Sequence, residues 1–196
     1  MSERKKRGRK PKESLERIIR EPIEVVDENC QPLGVLSRGM VHARGLFHRS
    51  VHIFLFNSKG EIYLQRRNLD REENPGLWSS SASGHLSPGE PLFFAAQREL
   101  KEELNIKVKL EEIARVPPCQ ETNWECVTLF VAKTDRIPKP NPSEISEGRF
   151  FSLQELESLI EEKPEIFSPA FLYLWRLYKS TKGNNLRDNF FQVFPF

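Results

Sequence analysis

Cysteine and methionine are scarce in this 196-residue chain, with three and two copies. Cys30, Cys119 and Cys126 form no C-x-x-C pair, and so small and scattered an odd set is not a disulfide framework. They are read as buried or idle thiols of a reducing compartment, so the expected location is cytoplasmic. Long apolar runs are absent too. None approaches the roughly 18 residues a membrane span needs, and no apolar stretch follows the basic N-terminus as it would in a secretory signal. A membrane partner is therefore not expected. No internal repeat is visible.

What is present is a globular composition, with 38% apolar and 30% charged residues, enough for one ordinary domain with tails. The net charge of +2 hides an asymmetry. Residues 1–20 hold nine Lys/Arg against three Glu, whereas the remainder carries 21 basic and 25 acidic residues. The organisation expected is a basic, disordered arm over 1–20, one domain over 21–180 and an aromatic tail over 181–196.

Within the domain, 22–28 reads as a short strand, with a turn over 27–34 and a return at Val35-Leu36. Ser50–Asn57 and Glu61–Arg67 flank the turn Ser58-Lys59-Gly60 and predict a hairpin. Asn74-Pro75-Gly76 marks a loop, and 78–83 is a Ser-rich extended segment. Leu92, Ala95, Ala96, Leu100 and Leu104 have helical spacing. Residues 107–116 and 124–133 alternate like antiparallel strands. A proline-broken linker follows over 138–142, then a last strand at 149–152, then helices over 153–162 and 169–179. Strands with segregated helices indicate an α+β sandwich.

Gly84-His85-Leu86-Ser87-Pro88-Gly89-Glu90, then seven residues, then Arg98-Glu99-Leu100-Lys101-Glu102-Glu103-Leu104-Asn105-Ile106 is the informative segment. Glu99, Glu102 and Glu103 stand at i, i+3 and i+4, so three carboxylates share one helical face. Like charges so placed weaken a helix by a few tenths of a kcal/mol per pair, at about 0.2–0.5. A divalent cation removes that penalty, and hard oxygen ligands suit Mg²⁺ or Mn²⁺. Arg98 lies beside the acidic face, within reach of Glu90. Gly84 and Gly89 permit tight backbone turns. Taken alone, the glutamate string also fits a solvated helix face.

The joint pattern resembles the Nudix box, G-x5-E-x7-R-E-U-x-E-E-x-G-U with U aliphatic, departing only where Asn105 replaces the late glycine. Asn tolerates a left-handed backbone better than most residues. The resemblance implies a Nudix-type α/β/α sandwich with a mixed sheet and a catalytic loop–helix–loop. It implies metal binding by Glu99, Glu102 and Glu103, with Gly84 beside them, and catalytic roles for Arg98, Glu99 and Glu102. The implied activity is hydrolysis of a small-molecule diphosphate with Mg²⁺ or Mn²⁺, in which Glu102 or a nearby carboxylate activates water.

Within that superfamily the chain looks most like the branch allied to isopentenyl-diphosphate isomerase. The shared signs are His42, His48, Arg66-Arg67, Pro75-Gly76-Leu77-Trp78, Gly84-His85 and Phe167-Ser168-Pro169. The resemblance implies a second metal cluster of His42, His48, His85 and Glu125, in which the isomerase's other acidic residue is replaced by Asn123. It implies diphosphate binding by Arg38, Arg67 and Arg71. Two departures oppose isomerisation. Ser83 stands where the isomerase has its catalytic cysteine, and Ala170 where it has a tryptophan that stabilises a carbocation. The expected reaction is hydrolysis, with isomerisation as the alternative and a non-catalytic Nudix-fold module as the third. Trp78, Trp124 and Phe93 are candidates for stacking in a pocket, or are core. Residues 4–12, with Arg7, Gly8 and Arg9 at their centre, resemble an AT-hook that makes a weak nucleic-acid contact; the alternative is a solubilising tail. Phe190, Phe191, Phe194 and Phe196 in the tail would dock on the domain or on a second copy in a homodimer.

Overall fold

The computed structural model describes residues 19–183. Residues 1–18, which hold Arg7, Gly8 and Arg9 of the basic arm, and residues 184–196, with the tail phenylalanines, lie outside the described residues. The elements are β1 (Pro22–Val26), β2 (Pro32–Ser37), α1 (Arg38–Ala43), β3 (His48–Phe56), β4 (Ile62–Arg67), β5 (Trp78–Ser79), β6 (Ala82–His85), α2 (Leu92–Leu104), β7 (Leu110–Val116), β8 (Glu125–Lys133), β9 (Ile145–Phe151), α3 (Leu153–Glu162), a 3₁₀ turn at Pro164–Ile166 and α4 (Pro169–Gly183). No described helix is long and apolar enough to cross a membrane.

Strand β3 is the spine of the sheet. It runs parallel to β8 from His48↔Glu125 to Phe56↔Lys133 and antiparallel to β6 from Ser50↔His85 to Ile53↔Ala82. Its residues alternate between two cores, as the pleat requires. Val51, Ile53 and Leu55 face α2 and pack with Ala95, Ala96, Leu100 and Leu104. Phe54 and Phe56 face the other way, onto Phe171, Trp175 and Tyr178 of α4 and Leu156 of α3. Every residue of β3 except Arg49 is buried, because both faces are covered. The result is the α/β/α sandwich with a mixed sheet that the Nudix resemblance implied.

The serine-rich run is split rather than continuous. Residues 78–79 pair with β4, while 82–85 pair with β3. Where the two strands part, Ser81 fills the gap. Its hydroxyl donates to the Tyr63 carbonyl at 2.5 Å and accepts from the Leu55 amide at 2.7 Å. A serine can mend such a ladder because one hydroxyl both donates and accepts.

Helix α2 ends as its sequence suggested. Asn105 takes φ 57 and ψ 32, so it occupies the left-handed position the box reserves for glycine. Ser152 caps α3 by accepting from the Glu155 amide at 3.1 Å. The short helix α1 has no counterpart in the sequence reading. Six residues with Gly39 and Met40 are too few to show a helical period.

Two cysteines correct the expectation of three unpaired thiols. Cys30, in the β1–β2 turn, is bonded to Cys126 on β8, with Cα atoms 5.9 Å apart across a separation of 96 residues. Only Cys119 is free. The sequence reading failed because the pairing depends on β1, β3 and β8 lying side by side, which spacing alone does not reveal. It also removes the thiol-based argument for a reducing compartment.

Candidate active site

The first turns of the box set the geometry. Gly84 lies on β6 directly against α2, and a Cβ there would run into the Glu99 carboxylate. Gly84 therefore supplies space, whereas Gly89 supplies a turn, with φ +71. Arg98 organises the loop–helix junction. Its Nε and Nη2 donate to the two oxygens of Glu90 at 2.9 and 2.8 Å, and Nη2 also donates to the His85 carbonyl at 2.9 Å. Its Nη1 donates to Glu99 at 2.6 Å and reaches Glu102 at 3.4 Å. A guanidinium suits this task because its fork satisfies several oxygens in one plane.

The three box glutamates come together but differ in exposure. Glu99 and Glu103 are 8% and 4% exposed, while the Glu102 side chain is 56% exposed. Glu103 accepts from Gln65 Nε2 at 2.5 Å and from the Ser83 amide at 3.4 Å. Burial pushes Glu99 up to about 7, against the pull of Arg98. Burial, with Glu99 and Glu144 nearby, holds Glu103 well above the usual carboxylate range. Two buried carboxyls beside a third favour either a proton or a cation between them. Glu144, in the turn before β9, is a fourth carboxylate bearing on Glu99 and Glu103, and it pairs with Arg71 at 3.6 Å. The sequence reading missed it, since a lone Glu in a turn gives no signal.

A second cluster stands on the other side of β6. Three adjacent strands carry it. His85 is on β6, His48 on β3 and Glu125 on β8, and α1 brings in His42. The imidazole centroids of His42, His48 and His85 lie 4.8 to 5.1 Å apart. Glu125 Oε1 is 3.4 Å from His85 Nε2 and 3.7 Å from His48 Nε2. His48 directs Nδ1 at the Leu46 carbonyl, at 2.9 Å. A carbonyl only accepts, so Nδ1 carries the proton and Nε2 keeps a lone pair in the neutral ring. Burial and the neighbouring His85 lower the His48 pKa to about 4, which keeps the ring neutral. Burial opposes the charge of Glu125, but His85, with His48 and His52 beyond it, holds the carboxyl well below its usual range. The buried Nε2 atoms of His42 and His48 have no hydrogen-bond partner.

Asn123 points away from ligand duty. Its Nδ2 donates to Glu73 Oε1 at 2.7 Å. Glu73 also meets His42 Nδ1 at 3.2 Å. This loop glutamate was absent from the sequence reading.

Both clusters open into one cleft of about 1510 Å³. Arg38, Arg67 and Arg71, the three arginines singled out by sequence, all line it. Arg67 donates from Nε to the Glu73 carbonyl at 2.8 Å. Ser83 and Ala170 line the cleft too, as do Ser50, His52, Ser79 and Ser168. The aromatic candidates do not line it. Trp78 is buried against Phe151, Phe93 pairs with Phe94 outside, and Trp124 stacks on Phe47.

The model of the NUDIX domain matches residues 46–171. An uncharacterized Nudix hydrolase of Pseudomonas aeruginosa is 39% identical over 163 residues, spanning 81% of this chain and 93% of its own. An isopentenyl-diphosphate Delta-isomerase of Streptomyces griseus is 36% identical over 158 residues, spanning 76% of this chain and 79% of its own. The crystal structure of DR0079 from Deinococcus radiodurans superposes with a TM-score of 0.71 at 25% identity, covering 80% of this chain and 98% of that one. With a box-bearing helix packed on a mixed sheet, and with these matches spanning most of its length, the chain belongs to the NUDIX domain family.

Proposed function

We propose that this protein hydrolyses a diphosphate linkage in a small molecule, with Mg²⁺ or Mn²⁺ held by Glu99, Glu102 and Glu103. The observation that carries this reading is the burial of Glu99 and Glu103 beside Glu102 at the edge of a cleft that three arginines line. Interiors reject unpaired carboxylates unless a cation or proton compensates them. The residues fit a hard divalent cation, because the donors are oxygens and Gly84 leaves room for the Glu99 carboxylate. Such an ion supplies charge neutralisation at the diphosphate and lowers the pKa of water. The chain's own work is positional. Arg98 holds Glu99, Gln65 and the Ser83 amide hold Glu103, and the exposed Glu102 is free to meet a water molecule. Arg38, Arg67 and Arg71 bind the phosphate oxygens, and the histidine cluster forms a second cation site.

The cleft floor favours a hydroxylated organic group over a hydrocarbon. Ser50, His52, Ser79 and Ser168 line it, and the Ser50 hydroxyl is buried without a partner. An orphan hydroxyl is stabilised by a ligand that hydrogen-bonds it and penalised by one that does not. A nucleoside or sugar diphosphate meets that demand better than an isoprenoid. The assembled histidine cluster and the 36% identity to an isomerase favour isomerisation as the second reading. Ser83 opposes it, since a hydroxyl has a pKa far above that of a thiol and moves protons at carbon poorly.

The test is a substrate panel with Mg²⁺ or Mn²⁺. Purified protein is incubated with nucleoside diphosphates, nucleotide sugars and isopentenyl diphosphate, and both released phosphate and double-bond migration are measured. Release from a hydroxylated diphosphate, lost in Glu102→Gln, is the expected result. Isomerised isopentenyl diphosphate without phosphate or pyrophosphate release would overturn the assignment.

A further inference from the structure

Glu73 lies in the segment 68–77 between β4 and β5, outside the box. We propose that Glu73 is a ligand of a divalent transition metal shared with His42, His48, His85 and Glu125, and so supplies from a different loop the carboxylate that position 123 lacks. The proposal rests on the histidine cluster being a metal site and is independent of the hydrolytic reading.

Glu73, His85 and Glu125 each place one donor atom within 4.8 Å of the others, as do His42, His48 and His85. Donors around an ion with bonds of about 2.1 Å stand roughly 3 Å apart when adjacent and roughly 4 Å when opposite. The separations of 3.4 Å for His85–Glu125 and 3.7 Å for His48–Glu125 fall in that range, while His42 meets Glu73 through Nδ1, at 3.2 Å, and so keeps its Nε2 for the ion. The contact between His48 and Glu125 is the independent sign of an ion. His48 is 2% exposed, and its Nε2 has no hydrogen-bond partner although it faces a carboxylate oxygen. With the ring proton committed to the Leu46 carbonyl, two lone pairs confront each other in a buried place. A cation between them removes that cost. The Nε2 of His42 is buried and unpartnered as well.

Asn123 explains why a carboxylate from another loop is needed. It carries an amide, and that amide donates to Glu73 Oε1 at 2.7 Å, the oxygen that also meets His42 Nδ1, which leaves Oε2 for the ion. Three imidazole nitrogens and two carboxylates suit a borderline ion such as Zn²⁺, Co²⁺ or Mn²⁺ better than Mg²⁺. A consequence follows for substrate binding. The same segment carries Arg71, and its Glu73 carbonyl accepts from Arg67. An ion that draws in Glu73 also fixes the loop bearing the phosphate-binding arginines.

Metal-stripped protein is titrated with Co²⁺ in excess Mg²⁺, which occupies the all-oxygen triad. Visible absorption reports affinity and coordination. Hydrogen–deuterium exchange over 68–77 reports the loop. Wild type, Glu73→Gln and Glu73→Ala are compared, with circular dichroism to establish that each is folded. The expected result is one Co²⁺ bound by wild type, with affinity at least about tenfold weaker in both variants and stronger absorption per ion as coordination falls. Co²⁺ slows exchange over 68–77 in wild type and not in the variants. Unchanged affinity and spectrum in both variants would leave Glu73 as a mere orienter of His42 and overturn the proposal. If wild type binds no Co²⁺ under these conditions, the histidine site and the proposal fall together, while the hydrolysis assay stands unaffected.

Discussion

Replacing Gly84 with alanine tests whether the placement of Glu99 matters to the chemistry. The new Cβ would fall on the Glu99 carboxylate, well inside van der Waals contact. β6 cannot yield, because it is paired with β3 over four residues. Glu99 must therefore swing out, breaking its 2.6 Å bond to Arg98. Overpacking of this kind costs about 1–3 kcal/mol of stability, which the domain should survive. The displacement of a metal-binding oxygen by roughly 1 Å is more damaging, at about 100-fold in rate. The control is Gly89→Ala. Nothing lies within 4 Å of a Cβ at Gly89, so only its positive φ of 71 is strained, at about 1 kcal/mol. Phosphate release is measured against Mg²⁺ concentration for both variants, beside thermal unfolding. Gly84→Ala is expected to lose rate and to require more Mg²⁺, whereas the loss in Gly89→Ala appears mainly in the unfolding midpoint. A Gly84→Ala enzyme within twofold of wild type at every Mg²⁺ concentration would refute the role given to Glu99.

Mg²⁺ at about 100 times its Kd should stabilise the fold by ~2.7 kcal/mol, or roughly 5–10 °C for a domain of this size; calorimetry with and without chelator reads this directly. In the metal-free protein the raised pKa values of Glu99, at about 7, and Glu103 make the folded state bind more protons than the unfolded one. The stability these two groups contribute without metal is then fully present below about pH 4.5 and is lost as pH rises through 7, and flat unfolding midpoints across that window would contradict the burial argument. Arg71→Ala removes a charge-assisted contact of about 1.5–3 kcal/mol; steady-state kinetics should show KM raised about 10- to 100-fold with kcat little changed, and an unchanged KM would take Arg71 out of the phosphate site. Thiol titration of the native protein should find one reactive cysteine, Cys119, and three after reduction and unfolding. Loss of the Cys30–Cys126 bond should lower stability by about 2–4 kcal/mol, and three thiols in the native state would show the bond absent.

How much of this was legible depended on whether a signal was local. The β3–β4 hairpin, the period of α2 and the left-handed Asn105 were all readable because each rests on contacts within a few residues. The triad was readable for the same reason, since one helical turn carries it. The histidine cluster was legible only through resemblance, because His42, His48, His85 and Glu125 meet by way of three strands and a six-residue helix that has no period of its own. Glu73 and Glu144 gave no signal. Glu144 is a single acid in a turn and Glu73 one of three acids in a short loop with Asp70 and Glu72, and only the closing of the sheet brings Glu144 toward the triad and Glu73 toward His42. The disulfide was misread for the converse reason. Scarcity and scatter argue against a framework of bridges, but not against one bond between a turn and a neighbouring strand.

The two clusters share a strand, and that sharing is the strongest argument that the carboxylates are functional. Gly84 and His85 are consecutive on β6, so their side-chain directions alternate. One makes room for Glu99 on α2; the other turns to Glu125 on β8. Arg98 links the two sides by gripping Glu99 with one nitrogen and the His85 carbonyl with another. A fold selected only for stability would fill these positions with apolar side chains, since buried ionic groups are often replaced by hydrophobic ones at no loss. Here the interior instead keeps Glu99, Glu103 and Glu125 beside neutral His48. Glu99 and Glu103, whose carboxyls burial pushes up, cost stability without a counter-ion and lose that cost when a cation is bound. Substituting a hydrophobic residue of similar size, Glu103→Leu, should therefore raise the unfolding midpoint of the metal-free protein while abolishing its response to Mg²⁺. If instead the variant is destabilised in the absence of metal, Glu103 is a structural hydrogen-bond partner of Gln65 and Ser83, and the triad loses its claim to be a site.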